Sequence, residues 1–272
     1  MQSTTSGAVH LLQILLDLAL GAMLGFLGGL FGIGGGIIAI PILSLVFGMD
    51  QHLAQGTTLV MVVPNVMLGL WRYYKRGGVN VGYAVVLGSS AVAVTYIAAK
   101  FAIGLRAPTL RMAFGLFITA VAVYLAFQVW RKRAKQPQTT AQVNGTASAG
   151  EQHPAPGWAV FVGAAGGVLS GMFGVGGATI APPMLTTFYG FSQAGAQGLA
   201  LALVAPGSIV GLATYAQAGA VNWPQGLALA AGGLLFVSRG VALAYKLSND
   251  MLKLSFAALL VISAGMLIVA AR

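Results

Sequence analysis

The chain has 272 residues, of which 58% are hydrophobic and only 7% charged, and its mean hydropathy is +0.87. Soluble domains carry roughly 25% charged residues, so this composition excludes a water-facing globular surface and points to a polytopic membrane protein. Fourteen basic and four acidic residues give a net charge of +10, and a cysteine count of zero excludes disulfides, thiolate metal sites and thiol chemistry.

Residues 1–10 contain no Lys or Arg, so no cleavable signal with a basic n-region is expected. The first apolar segment covers 11–30, interrupted only by Gln13 and Asp17. A glycine run follows, and then a short apolar segment, 37–47. That segment is too short to cross a hydrocarbon core of ~30 Å as a straight helix. Longer segments follow at 53–74 (with Pro64), 83–103 and 109–130. Arg131-Lys132-Arg133-Ala134-Lys135 closes the first half. Residues 136–156 are rich in Gln, Thr, Gly, Ala and Pro without an apolar period, which reads as a flexible linker. The expected division is a first membrane repeat at 1–130, a basic linker at 131–156 and a second membrane repeat at 157–272.

The second half repeats the scheme at 157–172, 180–189, 195–215 (with Pro206), 223–245 and 251–271. The offset is 142 residues throughout. Residues 25–80 match 167–222 at 25 of 56 positions, including Phe31/Phe173, Gln55/Gln197, Gly56/Gly198, Pro64/Pro206 and Tyr73/Tyr215. Five segments per half is an odd number, so two halves that each cross five times point in opposite directions. The expected fold is therefore all-α, built from two inverted five-segment repeats with glycine-broken helices.

Charge in the connectors sets an orientation. Arg72, Lys75 and Arg76 follow the third segment, whereas the equivalent Gln217-Ala218-Gly219-Ala220 carries no charge. Positive loops stay cytoplasmic, which predicts a cytoplasmic linker and periplasmic termini. Lys100, Arg106 and Arg111 argue the other way. Because the basic residues serve topology, no nucleic-acid partner is expected; the lipid bilayer is the partner instead.

The duplicated glycine breaks are the first candidate site. Gly34-Gly35-Gly36 precedes one short segment and Gly176-Gly177 the other. Broken helices at membrane depth are tolerated where they are buried or line a cavity, and paired breaks in two halves are the best sequence pointer to a transport site. A helix that starts after glycines presents unpaired N–H groups to an anion. The competing reading is that the glycines only let helices pack closely. Gln55-Gly56-Thr57-Thr58 and Gln197-Gly198 add neutral donors, with caps and interhelical bonds as the structural alternative. Asn65 and Ser208 follow Pro64 and Pro206, where they could face substrate or satisfy a kinked backbone. Asp17 is a candidate proton-coupling group, and Arg239 and Arg72 are candidates for anion pairing, since ionisable residues in apolar spans are functional suspects. The alternatives for these three are an interfacial position, snorkelling and a topology signal. The three histidines form no metal cluster, so no metal or cofactor is expected. No nucleophile–base pair or carboxylate dyad stands out, so the chain reads as a non-enzyme.

The paired G-G-x-F-G-[IV]-G-G-x-x-x-x-x-P, with Gln-Gly at 55–56 and 197–198 and the two prolines, resembles the TauE/SafE family of sulfite exporters, also called TSUP transporters. The resemblance implies a secondary transporter, in a bacterial inner membrane, for small sulfur-containing anions such as sulfite or organosulfonates. It departs at Gly36, which becomes Ala178 and is followed by Thr179. Proton- or sodium-coupled uptake of a small organic anion, or a passive anion channel, are the alternatives. A homodimer is compatible with the sequence.

Overall fold

A computed structural model describes residues 2–77, 79–135, 156–175, 177–188 and 190–270. Among these the chain is all-helical. The first half contains α1 (Gln2–Phe31), α2 (Gly36–Val46), α3 (Gln51–Lys75), α4 (Val81–Gly104) and α5 (Ala107–Lys135). The second contains α6 (Pro156–Phe173), a 3-10 turn (Gly177–Thr179), α7 (Ala181–Phe188), α8 (Gln193–Gln217), α9 (Trp223–Ala244) and α10 (Asn249–Ala270). Six of them, α1, α3, α4, α5, α8 and α9, are long and apolar enough to cross a membrane by length and composition. Residues 131–135 continue α5 rather than opening the linker, and 136–155 lie outside the described residues.

Local sequence explains where the helices begin. Asp50 accepts from Leu53 N at 3.0 Å to cap α3, and its equivalent Ser192 accepts from Gly195 N at 3.1 Å to cap α8. Asn80 and Asn222 do the same for α4 and α9. Such caps satisfy amide groups that the first helical turn cannot pair internally.

Small residues decide which helices touch. Gly21, Gly25 and Gly29 recur every four residues on α1 and lie directly under the backbone of Leu229, Gly233 and Val237 of α9. Residue numbers rise together, so α1 and α9 run parallel. Gly163, Gly167 and Gly171 of α6 lie in the same way on Leu87, Ala91 and Thr95 of α4. Each position in the second set differs from the first by 142. A side chain at any of these glycines would collide with backbone, and close backbone approach is how membrane helices gain packing energy.

The central pair obeys a different rule. A Cβ placed on Gly69 of α3 would meet Leu201 Cδ1 at 3.2 Å, and one on Gly211 of α8 would meet Leu59 Cδ1 at 3.4 Å. The start of each helix therefore lies beside the end of the other: α3 and α8 are antiparallel. Around them, the Phe31 ring lies tilted on Phe256 with centroids 5.5 Å apart, and Phe114 on Phe173 at 5.3 Å, which again exchanges equivalent positions between halves. Outward faces carry exposed Leu15, Ile97, Leu116, Leu235 and Ile262. Such a surface suits lipid rather than water.

Candidate functional site

The first glycine break ends α1 and folds the chain back on itself. Ile33 N donates to Gly28 O at 3.1 Å. Gly34 and Gly35 hold φ of 69° and 88°, a region open to glycine and strained for other residues. Gly35 lies against the Leu24 carbonyl, 2.6 Å from where its own Cβ would stand, and forms the N-cap of α2 without a side chain to accept from the first turn. Those opening N–H groups have no partner within the helix.

The second break meets the first. A Cβ on Gly36 would stand 3.3 Å from Val175 Cα, 3.4 Å from Gly174 O and 3.5 Å from Thr58 Cγ2. A Cβ on Gly174 would stand 3.3 Å from Gln55 Cβ, and one on Gly32 2.7 Å from Gln197 Cβ. The two breaks thus meet in one junction, with Gln55 against the second break and Gln197 against the first, and Gly34, Gly35, Gly36, Gly174 and Gly177 are buried. The junction is not symmetric. After the first break α2 begins at once, whereas after the second a 3-10 turn with Ile180 N on Gly177 O intervenes before α7. Gly177 packs on Gly166, as Gly35 packs on Leu24. Gly176 lies outside the described residues.

Two tyrosines tie the halves together. Tyr73 OH donates to Gln197 Oε1 at 2.8 Å, with Gly29 O at 3.1 Å as a second acceptor. Tyr215 OH donates to Gln55 Oε1 at 2.6 Å, with Gly171 O at 3.3 Å. Both tyrosines and both glutamines are buried. The sequence flagged all four as identities across the repeat. Their pairing was not legible, because the partners are 124 and 160 positions apart.

The remaining candidates separate by face. At about 100° per residue, Gln55 and Thr58 fall about 60° apart around α3, while Asn65 lies about 80° from Gln55 and as far from Thr57, turned toward α9. Gln55 Nε2, Thr58 Oγ1 and the whole Asn65 amide are buried without a partner, the last lying against Gly233, as are Ser44 Oγ and Ser263 Oγ elsewhere. Thr179 Oγ1, in the 3-10 turn, is also buried and unpaired. Gly56 and Thr57 turn the other way. Gly56 sits under the Ala220 carbonyl, and Thr57 Oγ1 accepts from Asn222 N at 2.9 Å, so both anchor the start of α9. Ser208 Oγ donates to Ala205 O at 2.9 Å, one turn back beside Pro206. Gly198 is buried in α8 next to Gln197.

The three charged candidates lie apart from the junction. Asp17 is 3% exposed between α1 and α9 and accepts from Gln225 Nε2 at 3.1 Å. Along α1 it is seven residues, a rise of ~10 Å, from Leu24, whose carbonyl lies against Gly35. Arg239 is exposed on α9 with its guanidinium 4.6 Å from the Phe236 ring, and Arg72 is exposed 4.9 Å from the Trp71 ring. Gln55, Thr58 and Thr179, the unpaired polar side chains named at the breaks, are all uncharged. What the junction offers a ligand is neutral hydrogen bonding, which suits an oxyanion that must be released again.

A family profile described as "Sulfite exporter TauE/SafE" matches residues 17–267. A "probable membrane transporter protein" of Methanocaldococcus jannaschii is 26% identical over 265 residues, covering 92% of this chain and 93% of the relative. One from Bacillus subtilis is 26% identical, covering 78% and 81%, and one from Xylella fastidiosa is 27% identical, covering 87% of each. No solved structure matches.

Proposed function

The chain belongs to the TauE/SafE family of membrane transporters, and from that premise we propose that it exports small sulfur-containing anions, sulfite or organosulfonates, across the bacterial inner membrane. The observation that carries this reading is the junction itself: two helix breaks in contact, with Gln55 Nε2, Thr58 Oγ1 and Thr179 Oγ1 buried and unpaired. Each unpaired buried group costs about 1–3 kcal/mol, and a small anion with several acceptor oxygens would satisfy more than one. Gly34, Gly35, Gly36 and Gly177 frame the site, with Asn65 further along α3.

Orientation supports export. Antiparallel α3 and α8, with α1 parallel to α9, support the inverted-repeat reading. This order puts the α3–α4 connector, the end of α5 and the α9–α10 connector on one side. Ten basic residues fall there among the described ones, against Lys100, Arg106 and Arg111 on the other. The positive-inside rule makes the richer side cytoplasmic. With a negative interior, outward movement of a monoanion is favoured by ~2.3 kcal/mol per 100 mV, so no coupling ion is required. Alternating access would rock the two halves: inward opening separates Tyr73 from Gln197, and outward opening separates Tyr215 from Gln55.

Proteoliposomes test the proposal. Saturable counterflow of sulfite or methanesulfonate is expected, with KM raised about tenfold or more in Gln55→Ala. Flux that never saturates would instead indicate a channel. Asp17, a buried carboxyl held by one amide, favours a second reading, proton-coupled uptake. Transport indifferent to an imposed pH gradient would remove it.

A further inference from the structure

The two Tyr–Gln pairs look equivalent, yet their surroundings are not. One turn on from Gln55 stands Thr58, whose Oγ1 is buried and unpaired and whose Cγ2 methyl lies 3.5 Å from where a Cβ on Gly36 would stand, at the uncapped start of α2. At the positions equivalent to Thr58 and Gly36 the second half has Ala200 and Ala178. Gln55 Nε2 is buried without a partner, whereas Gln197 Nε2 is not among the unpaired buried atoms. Resting on the anion-transport reading above, we propose that the junction holds one anion, not two, in a one-sided site on Gln55, Thr58 and the opening turn of α2, and that Tyr215 is the positioning residue that turns the Gln55 amide toward it.

The chemistry follows from what each group can do. An amide has one accepting and one donating end. Tyr215 OH occupies the carbonyl oxygen at 2.6 Å, which leaves the NH2 group to face the junction. Without that hydroxyl the amide turns freely and can present its oxygen, which repels an anion. A sulfonate or sulfite has three acceptor oxygens, matched by Nε2, the Thr58 hydroxyl and a backbone N–H at the start of α2. Tyr73 and Gln197 then form a latch without a ligand role. The arrangement also links release to direction. Outward opening pulls Tyr215 from Gln55, so the amide loses its orientation as the site reaches the far side, and affinity falls there.

The test compares equivalent positions in purified, reconstituted protein, with sulfite and methanesulfonate as probes. Thr58→Val removes a hydroxyl that bonds nothing, so the unliganded protein should melt at the same temperature or higher, while anion affinity falls about tenfold. Gln55→Glu should abolish anion stabilisation, and Gln197→Glu should retain it within about threefold. Tyr215→Phe should raise KM about tenfold, and Tyr73→Phe should leave KM within about threefold. In a Gln55→Ala background, Tyr215→Phe should add no further loss, the signature of one residue acting through another. Equal losses at the paired positions, or a full additional loss in the double variant, would overturn the one-sided site. Wild-type protein that neither binds nor moves either anion would instead sink the transport reading on which it rests.

Discussion

The glycine stripes and the junction they surround are both products of the same duplication, and they have fared differently. Along α1–α9 and α6–α4, contacts recur at an offset of 142 without a slip, from Gly21 on Leu229 and Gly163 on Leu87 to Gly29 on Val237 and Gly171 on Thr95. At the junction the offset still holds for backbone and for the Tyr–Gln pairs, but the polar lining diverges: Thr58 against Ala200, Thr179 against Ile37, Asn65 against Gly207. Backbone-to-backbone packing leaves no room for a changed side chain, so it is kept. A ligand needs only one set of donors, so the second copy is free to drift or specialise.

The sharpest way to break this contrast is to insert bulk into a stripe. Gly25→Leu or Gly167→Leu forces a side chain into facing backbone, and each should cost about 3 kcal/mol or more, read as loss of monodisperse protein and a lower melting temperature. Thr58→Leu at the junction should fold far better than either while losing anion stabilisation. Next in size are the helix caps. Asp50→Ala and Ser192→Ala should each cost about 1 kcal/mol, and equal costs at the two would confirm that the scaffold is symmetric where the site is not. Asp17→Asn should leave sulfite stabilisation within about threefold, because the carboxyl is engaged by Gln225 and lies about two turns of α1 from Leu24. Any dependence of transport on a pH gradient should disappear with it. The smallest effect is expected at Arg239→Gln. An exposed guanidinium over Phe236 should contribute less than about 0.5 kcal/mol, with KM unchanged.

Much of this was readable in the chain. The repeat, the glycine breaks and nearly every helix were visible, because apolar runs, prolines and an ungapped offset are local signals. The expected 83–103 and 223–245 segments became Val81–Gly104 and Trp223–Ala244. Less legible was which way a side chain turns. Thr57 and Thr58 are neighbours, yet one anchors Asn222 and the other faces Gly36. That distinction depends on what packs on each face of α3, and the partners come from a helix 165 positions away in one case. The four-residue spacing of Gly21, Gly25 and Gly29 was present as a pattern, but sequence alone does not say that its partner is α9. The 3-10 turn after the second break was foreshadowed only by the change from Gly36 to Ala178.

The crossing of the stripes has a consequence for how the protein is made. Gly25 leaves the ribosome some 208 residues before Gly233, the residue on which it packs. At about 5–20 residues per second, α1 waits roughly 10–40 s for its seat, whereas α6 finds α4 already in the bilayer. A nascent first half is therefore an incomplete object, its glycine-lined groove open to lipid or to the wrong helix. Biogenesis should be most vulnerable during that interval.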